Sequence, residues 1–315
     1  MSNLQFNDQI CILDGGFSSE LEKNGLSFQG DPLWCSHALQ TNPEAVISVH
    51  ESFLQSGANI ITTNSYQASV PGFQKYLGLS FEESVTLLKS SVKFAQAAKE
   101  RYLKSISERK DILIAGSIGP YGASLADGSE YSGAYAAEMS YDELIEWHKP
   151  RVQYLVEAGV DVLAFETIPA AKEGEALMKL LKDFPGTKAW LSFSSQSAHK
   201  TSAGDDICDT ITKCLKIAPA NQLVAIGVNC CPPDLAVELL KDICLVSHGF
   251  PLIVYPNSGA VWDSKLGWTN QNSPNLSSYV PQWMKSSAKI IGGCCCTTSD
   301  DILQITNIVN DKKIN

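Results

Sequence analysis

SGANIITTNS, residues 56–65, and AGVDVLAFET, residues 158–167, are built alike. Each opens on a small residue and a glycine, then runs through an apolar stretch to a polar tip, Asn64 in one and Glu166 in the other. A glycine in this place closes a helix, because it enters the left-handed backbone region without a steric cost. The apolar run behind it is almost unbroken, as expected of a strand covered on both faces in a parallel sheet. The pair therefore reads as the end of a helix followed by a buried strand, twice.

The same unit recurs along the chain. Strand-like runs are ICILDGG (10–16), NIITTNSY (59–66), ILIAGSIGP (112–120), VDVLAFETIP (160–169), KAWLSFSS (188–195), LVAIGVNCC (223–231), LIVYPNSG (252–259) and KIIGGCC (289–295). Amphipathic stretches lie between them. In PEAVISVHESFLQSG, Val46, Val49, Phe53 and Leu54 recur at helical spacing. Ser299 before Asp300 and Asp301 is expected to start a last helix. Eight strand–helix units predict a (β/α)8 TIM-type barrel. An open doubly wound sheet is disfavoured, since no G-x-G-x-x-G loop follows the first strand. No Ser/Gly/Pro-rich linker divides the chain, so residues 1–315 are read as one domain.

Composition narrows the function. With 44% hydrophobic and 18% charged residues the chain can build a large core. A formal charge of −10 argues against nucleic acid as a partner, because phosphates are repelled. It suits a small cationic substrate. No secretory signal precedes Asp14, and no apolar run is long enough for a bilayer. The expectation is a cytoplasmic protein without a membrane partner, its ten cysteines kept as thiols. No interface stripe in the sequence fixes an oligomeric state.

In a barrel, chemistry sits at the C-terminal ends of the strands. Those tips carry Asp14, Gly15 and Gly16, then Asn64, Ser117, Gly119, Glu166, Thr167, Ser194, Asn229, Cys230, Asn257, Cys294 and Cys295. Cysteines on the sixth and eighth strands can meet across the rim. Three sulfurs around one point make an open zinc site, with the fourth position left for substrate. Cys231 is able to complete a closed set of four. Neighbouring strand residues point to opposite faces, so Cys294 and Cys295 converge only if the chain leaves β geometry, which Gly292 and Gly293 permit. By the same alternation only one of Cys230 and Cys231 is a ligand. Cys11, Cys35, Cys208, Cys214 and Cys244 are read as core cysteines. The five histidines show no H-x-x-x-H spacing, so a histidine-bound metal is not expected.

The stretches LDGGFSSELE, DPLWCSHAL, SGANIITTNSYQAS, GSIGPYGA, FETIP, GVNCC, YPNSG and IIGGCC, in this order, resemble the homocysteine S-methyltransferase family. The family comprises zinc-dependent thiol methylases related to betaine–homocysteine methyltransferase. The resemblance implies a (β/α)8 barrel and Zn²⁺ held by Cys230, Cys294 and Cys295. It implies that Asp14 and Glu166 hold the amino group of homocysteine, with the backbone of Gly15 and Gly16 near its carboxylate. Trp34 and Tyr66, in matching stretches, are candidates for contact with the methyl donor, and Asn64 for lining the site. Trp262 and Trp268, in the polar segment 259–283, are weaker candidates. The chain departs from the pattern at Cys296, where arginine or glycine is expected. It also lacks the C-terminal extension of the betaine-dependent branch, which points to S-methylmethionine or S-adenosylmethionine as donor. The implied reaction is transfer of a sulfonium methyl group to homocysteine, giving methionine, with no residue acting as catalyst beyond the activated substrate thiol.

Three alternatives follow from the same residues. Selenocysteine is a possible acceptor on the same scaffold. A non-enzymatic zinc-thiolate or redox-sensing protein predicts a closed four-thiolate site. A Schiff-base aldolase on this barrel lacks a lysine at any strand tip.

Overall fold

The computed structural model describes residues 9–108, 110–259, 261–263, 267–269 and 275–314, the side chains of 261–263, 267–269 and 313–314 excepted. Ten strands are present among them. They are β1 (Cys11–Ile12), β2 (Ile60–Thr62), β3 (Leu113–Ile118), β4 (Val162–Ile168), β5 (Ala189–Phe193), β6 (Leu223–Asn229), β7 (Leu252–Tyr255), β8 (Val261–Asp263), β9 (Gly267–Thr269) and β10 (Ala288–Ile291). Eight form one sheet in the order β1-β10-β7-β6-β5-β4-β3-β2. Every pairing within it is parallel. A parallel bridge from Leu13 to Ile60 joins the two ends and closes the barrel. The strands β8 and β9 pair with each other, antiparallel, outside that sheet.

Two-residue alternation sorts the apolar side chains. Ile61, Ile114, Leu163, Phe165, Leu191, Phe193, Ile226 and Val228 pack outwards with the helices. Ile60, Ala115, Val162, Ala164, Trp190, Ala225 and Ile253 fill the inside. Small residues around the single indole keep that interior a packed core. Two positions further along the same inward rows stand Ser117, Glu166 and Ser192, with Asn229 ending β6; all four are buried and polar. The apolar floor thus gives way to a polar mouth at the strands' C-terminal ends.

The paired glycines behave as the repeat predicts. Gly57 (φ 100°) and Gly159 (φ 91°) both take the left-handed conformation just before β2 and β4. Capping boxes start two of the longer helices. Ser80 with Glu83 opens Phe81–Ser105, and Ser140 with Glu143 opens Tyr141–Ala158.

The strands are shorter than their apolar runs. NIITTNSY keeps only Ile60–Thr62, and KIIGGCC becomes Ala288–Ile291. The last helix does begin at Ser299, but that hydroxyl donates to Glu20 rather than capping, and Asp301 accepts from the amide of Thr298. Cys244 is exposed and Cys11 and Cys208 are half-buried, so the core assignment holds for Cys35 and Cys214 alone of those five. Trp283 is buried and stacked on Tyr279, a core residue rather than a wall of the site. The side chains of Trp262 and Trp268 lie outside the described residues. No helix among those residues is long and apolar enough to cross a membrane.

Candidate active site and metal centre

A cavity of about 600 Å³ opens at the polar mouth of the barrel. Asp14, Gly15, Gly16, Trp34, Asn64, Tyr66, Ser117, Glu166, Thr167, Cys230, Cys294 and Cys295 line it, whereas the tips Gly119, Ser194, Asn229 and Asn257 stand outside its lining. The volume lies within the range of small-molecule sites and holds two amino-acid-sized reactants.

The sulfurs of Cys230, Cys294 and Cys295 lie within 4.8 Å of one another, and those of Cys230 and Cys295 are 3.5 Å apart. Thiolates at about 2.3 Å from a tetrahedral zinc ion stand about 3.8 Å from each other, so the donor set fits that metal in number, chemistry and spacing. The side of the cluster that faces the cavity is open to a further ligand. Cys231 takes no part; it is fully buried among the outward-packed apolar residues. Two departures from strand geometry make the convergence possible. Cys230 (φ 50°) turns left-handed directly after β6, and β10 has ended at Ile291 before the cysteine pair begins. The left-handed residue on this side is Cys296 (φ 59°), not either glycine. Gly293 is there for room, since a Cβ would sit 2.3 Å from the Thr297 hydroxyl.

The three thiols share charge unevenly. Hydrogen bonds from Cys230 and then Cys294 hold Cys295 well below the ordinary thiol range. Cys294 is pushed up, first by its hydrogen bond with Cys230 and then by that with Cys295. Cys296 is outside the cluster, pushed up to about 12 by burial, with its amide donating to Ser19.

Two buried carboxylates face the same space. Asp14 accepts from the Thr62 amide (2.6 Å) and the Thr62 hydroxyl (3.0 Å). Glu166 accepts from the Ser117 hydroxyl and from Tyr255. Burial pushes Asp14 well above the usual carboxylate range, with the charge of Glu166 adding to it, and pushes Glu166 up to about 7. Neither makes a salt bridge among the described residues. Two buried, mutually repelling acids without a salt-bridge partner suit a cation. A register shift in β4 between Phe165 and Ile168 places Glu166 and Thr167 on a bulge. Asn229 clamps it, its side-chain oxygen accepting from the Thr167 amide (2.7 Å) and its nitrogen donating to the Thr167 hydroxyl (2.8 Å). Thr167 is left-handed there (φ 60°).

The glycines behave differently from one another. The Gly16 amide already donates to Thr297, to both carbonyl and hydroxyl at 3.0 Å, so it is not a donor for a ligand carboxylate. Gly16 is required for close approach, because a Cβ would lie 2.4 Å from the Cys294 carbonyl. Asn64 lines the cavity yet spends its amide on Cys35, donating to its carbonyl (2.8 Å) and accepting from its thiol (3.1 Å). It fixes the loop that carries Trp34, itself left-handed (φ 49°).

Sequence reasoning missed three residues. Glu130 and Tyr131 line the cavity from the turn Ser129–Tyr131, which follows no strand tip directly. Tyr131 comes within 3.7 Å of the Cys230 sulfur. The third is Glu173, fully buried in the helix Ala171–Leu180. It accepts from the Tyr121 amide (2.7 Å) and the Tyr135 hydroxyl (2.5 Å), and lies 2.8 Å from His148 Nε2. Those bonds staple both ends of the segment that bears Glu130 and Tyr131. A glutamate in a helical run looks like a solvent-facing charge, and nothing local marks it otherwise. Substituting Glu173→Ala strands buried His148 and two half-buried groups of Tyr121 and Tyr135. The expected cost is roughly 3–5 kcal/mol, read as a fall in Tm of roughly 5–15 °C. An unchanged Tm would show that the staple is not structural.

The homocysteine S-methyltransferase family model matches residues 11–309. The betaine-homocysteine S-methyltransferase of Drosophila melanogaster is 42% identical, over 97% of this chain and 96% of its own length. The selenocysteine Se-methyltransferase of Brassica oleracea var. italica is 40% identical, over 90% and 84%. Among solved structures, the metallated form of the homocysteine methyltransferase MmuM from Escherichia coli superposes with a TM-score of 0.85 at 38% identity, over 96% of this chain and 97% of that one. A closed parallel barrel, a cysteine triad able to hold a metal and a family match over nearly the whole length agree: the chain belongs to the homocysteine S-methyltransferase family and is a methyltransferase.

Proposed function

We propose that this protein transfers the methyl group of a sulfonium, S-methylmethionine or S-adenosylmethionine, to the thiol of L-homocysteine, giving methionine, with Zn²⁺ held by Cys230, Cys294 and Cys295. The observation that carries the reading is the shared cavity: three sulfurs within 4.8 Å of one another and two buried, unpaired carboxylates line one space. An amino acid bearing a thiol matches both halves. When bound, zinc supplies a Lewis acid that keeps the substrate sulfur ionised at neutral pH.

The chain's own residues do the rest. Asp14 and Glu166 grip the ammonium group, whose three N–H donors suit two carboxylates. The bulge in β4 and the Asn229 clamp hold Glu166 in place. Trp34 and Tyr66 offer aromatic faces to the sulfonium. The new S–CH3 bond forms as the donor's S–CH3 bond breaks. The bonding pair stays on the donor sulfur as a neutral thioether, and the acceptor's thiol proton leaves to solvent. No general acid is needed for so good a leaving group, and the barrel's contribution is alignment.

Chain length does not separate the donors: the Drosophila relative named for betaine is matched over 96% of its length. The sulfonium reading rests on the acidic, aromatic cavity instead. Selenocysteine is the second acceptor to test, since a relative named for it is 40% identical. A selenol ionises more readily, so zinc contributes less there. The clustered thiols suit a reducing compartment such as the cytoplasm. A sensor with four thiolates is disfavoured, because Cys231 stands apart from the other three.

The test is a donor panel with zinc-loaded protein and homocysteine. S-methylmethionine or S-adenosylmethionine is expected to exceed betaine and a methylated folate by at least about 100-fold in kcat/KM. Preference for betaine overturns the donor assignment. Folded, zinc-loaded protein that methylates neither homocysteine nor selenocysteine from any of the four overturns the reading.

A further inference from the structure

One acidic side chain of the cavity has no part in gripping the acceptor. Glu130 shares the lining with Trp34, Tyr66 and Tyr131. Its Oε2 is shielded from solvent and has no hydrogen-bond partner among the described residues. The residue is nevertheless held firmly. Its carbonyl accepts from Ser194 (3.4 Å), and the backbone of Gly122 packs so closely that a Cβ there would lie 2.7 Å from the Glu130 amide. An orphaned carboxylate oxygen in a pocket wall is costly, and the cost is relieved when a ligand brings positive charge.

The position of that charge matters. Glu130 directly precedes Tyr131, whose hydroxyl lies 3.7 Å from the Cys230 sulfur, and it shares one cavity wall with Tyr66. Glu130 therefore lies within electrostatic reach of one aromatic wall and of the sulfur cluster where the acceptor thiol must sit. For transfer, the donor's S–CH3 has to come within about 3.5 Å of that thiol. The donor's positive centre is thus delivered into the zone that Glu130 commands. A sulfonium carries no N–H, so it is recognised by charge and by π faces, not by hydrogen bonds.

On the basis of the proposed reaction, we infer that Glu130 is a specificity-determining residue for the methyl donor, pairing electrostatically with its sulfonium and discriminating against neutral thioethers. The pairing is strongest in the ground state, because positive charge leaves the donor sulfur as the methyl group moves. Removing it should raise the donor KM while leaving kcat level or slightly higher. It also favours release of the uncharged product.

The experiment compares wild-type, Glu130→Gln and Glu130→Asp proteins, each zinc-loaded and full-length, with folding checked by circular dichroism. Calorimetry without acceptor measures binding of S-methylmethionine against methionine, which differ by the one sulfonium methyl. Glu130→Gln is expected to weaken S-methylmethionine about tenfold and methionine less than about twofold. In turnover the donor KM rises by a similar factor, and the homocysteine KM stays within about twofold. Glu130→Asp, which keeps the charge, retains most of the preference. Equal weakening of both ligands, an unchanged preference, a rise confined to the homocysteine KM, or loss of preference in Glu130→Asp as complete as in Glu130→Gln overturns the inference. Should wild-type protein transfer no methyl group from any donor, the proposed function fails; the binding comparison still judges Glu130 by itself.

Discussion

Cys294→Ala removes stoichiometric zinc and reduces homocysteine methylation by at least about 1,000-fold; this is the largest effect we expect of any single substitution. Two sulfurs cannot hold the ion as three do. Even loss of a residue that only supports a metal ligand commonly costs about 10- to 100-fold in affinity, and removal of a ligand costs more. The chemical loss follows from ionisation. A free thiol with a pKa of about 8.5 is only a few per cent thiolate at pH 7, and it also loses its fixed position beside the donor. Metal content by mass spectrometry and initial rates on the same samples decide the matter. Cys231→Ala is the control, because that thiol packs outside the cluster; it should keep both zinc and activity. A Cys294→Ala protein that retains one zinc per chain, or methylates homocysteine after chelation, would remove the basis of the proposed function.

The barrel was legible because its signal is repeated. Eight apolar runs, each closed by polar residues, survive the shortening of every strand, since what fixes the sheet is the alternation between an outer and an inner row. The strand tips were legible for the same reason: a residue just past a buried run, on its inward row, comes out at the mouth, as Cys230 does and Cys231 does not. The cysteine triad was partly so. Sequence placed Cys230 near the pair and found the geometry incompatible with continuous β structure, but assigned the relief to Gly292 and Gly293. The structure does leave β geometry at those glycines, β10 ending at Ile291, but they serve by close approach to Asp14 and Thr297, and the left-handed turn falls on Cys230. Left-handed backbone at a cysteine costs of order 1–3 kcal/mol and is sustained only by tertiary contacts, which leave no mark in local sequence. The same holds for Gly16, whose amide is taken by Thr297, 281 residues away. Glu130, Tyr131 and Glu173 were illegible because their burial depends on where a loop folds, not on any periodicity.

Glu166→Gln should separate function from stability more sharply than any other change. Glutamine is close to isosteric and still accepts a hydrogen bond from Ser117, but it cannot neutralise an ammonium group. Breaking one partner of a buried charge pair costs about 2–5 kcal/mol in binding, so the homocysteine KM should rise by at least about 30-fold. Stability moves the other way. The folded-state pKa of Glu166 lies at about 7, above its ordinary value near 4.5, because burial penalises the charged form. A group shifted in this direction favours folding below pH 4.5, and its contribution is lost as pH rises through 7. Wild-type protein without substrate should therefore lose roughly 2–4 kcal/mol more across that window than Glu166→Gln, in which buried Asp14 still makes its own loss. At pH 7.5 the variant is expected to melt a few degrees higher, with Asp14 relieved of a repelling neighbour. Homocysteine should close the gap for wild type alone, since its ammonium group restores the charge balance that Glu166 lacks when the pocket is empty. Binding at pH 7 should also release fewer protons from the variant, measured by calorimetry in two buffers of different ionisation enthalpy. A variant that binds homocysteine as wild type does, or melts lower at pH 7.5 and higher near pH 5, would show that Glu166 is not the buried counter-charge of an amino group.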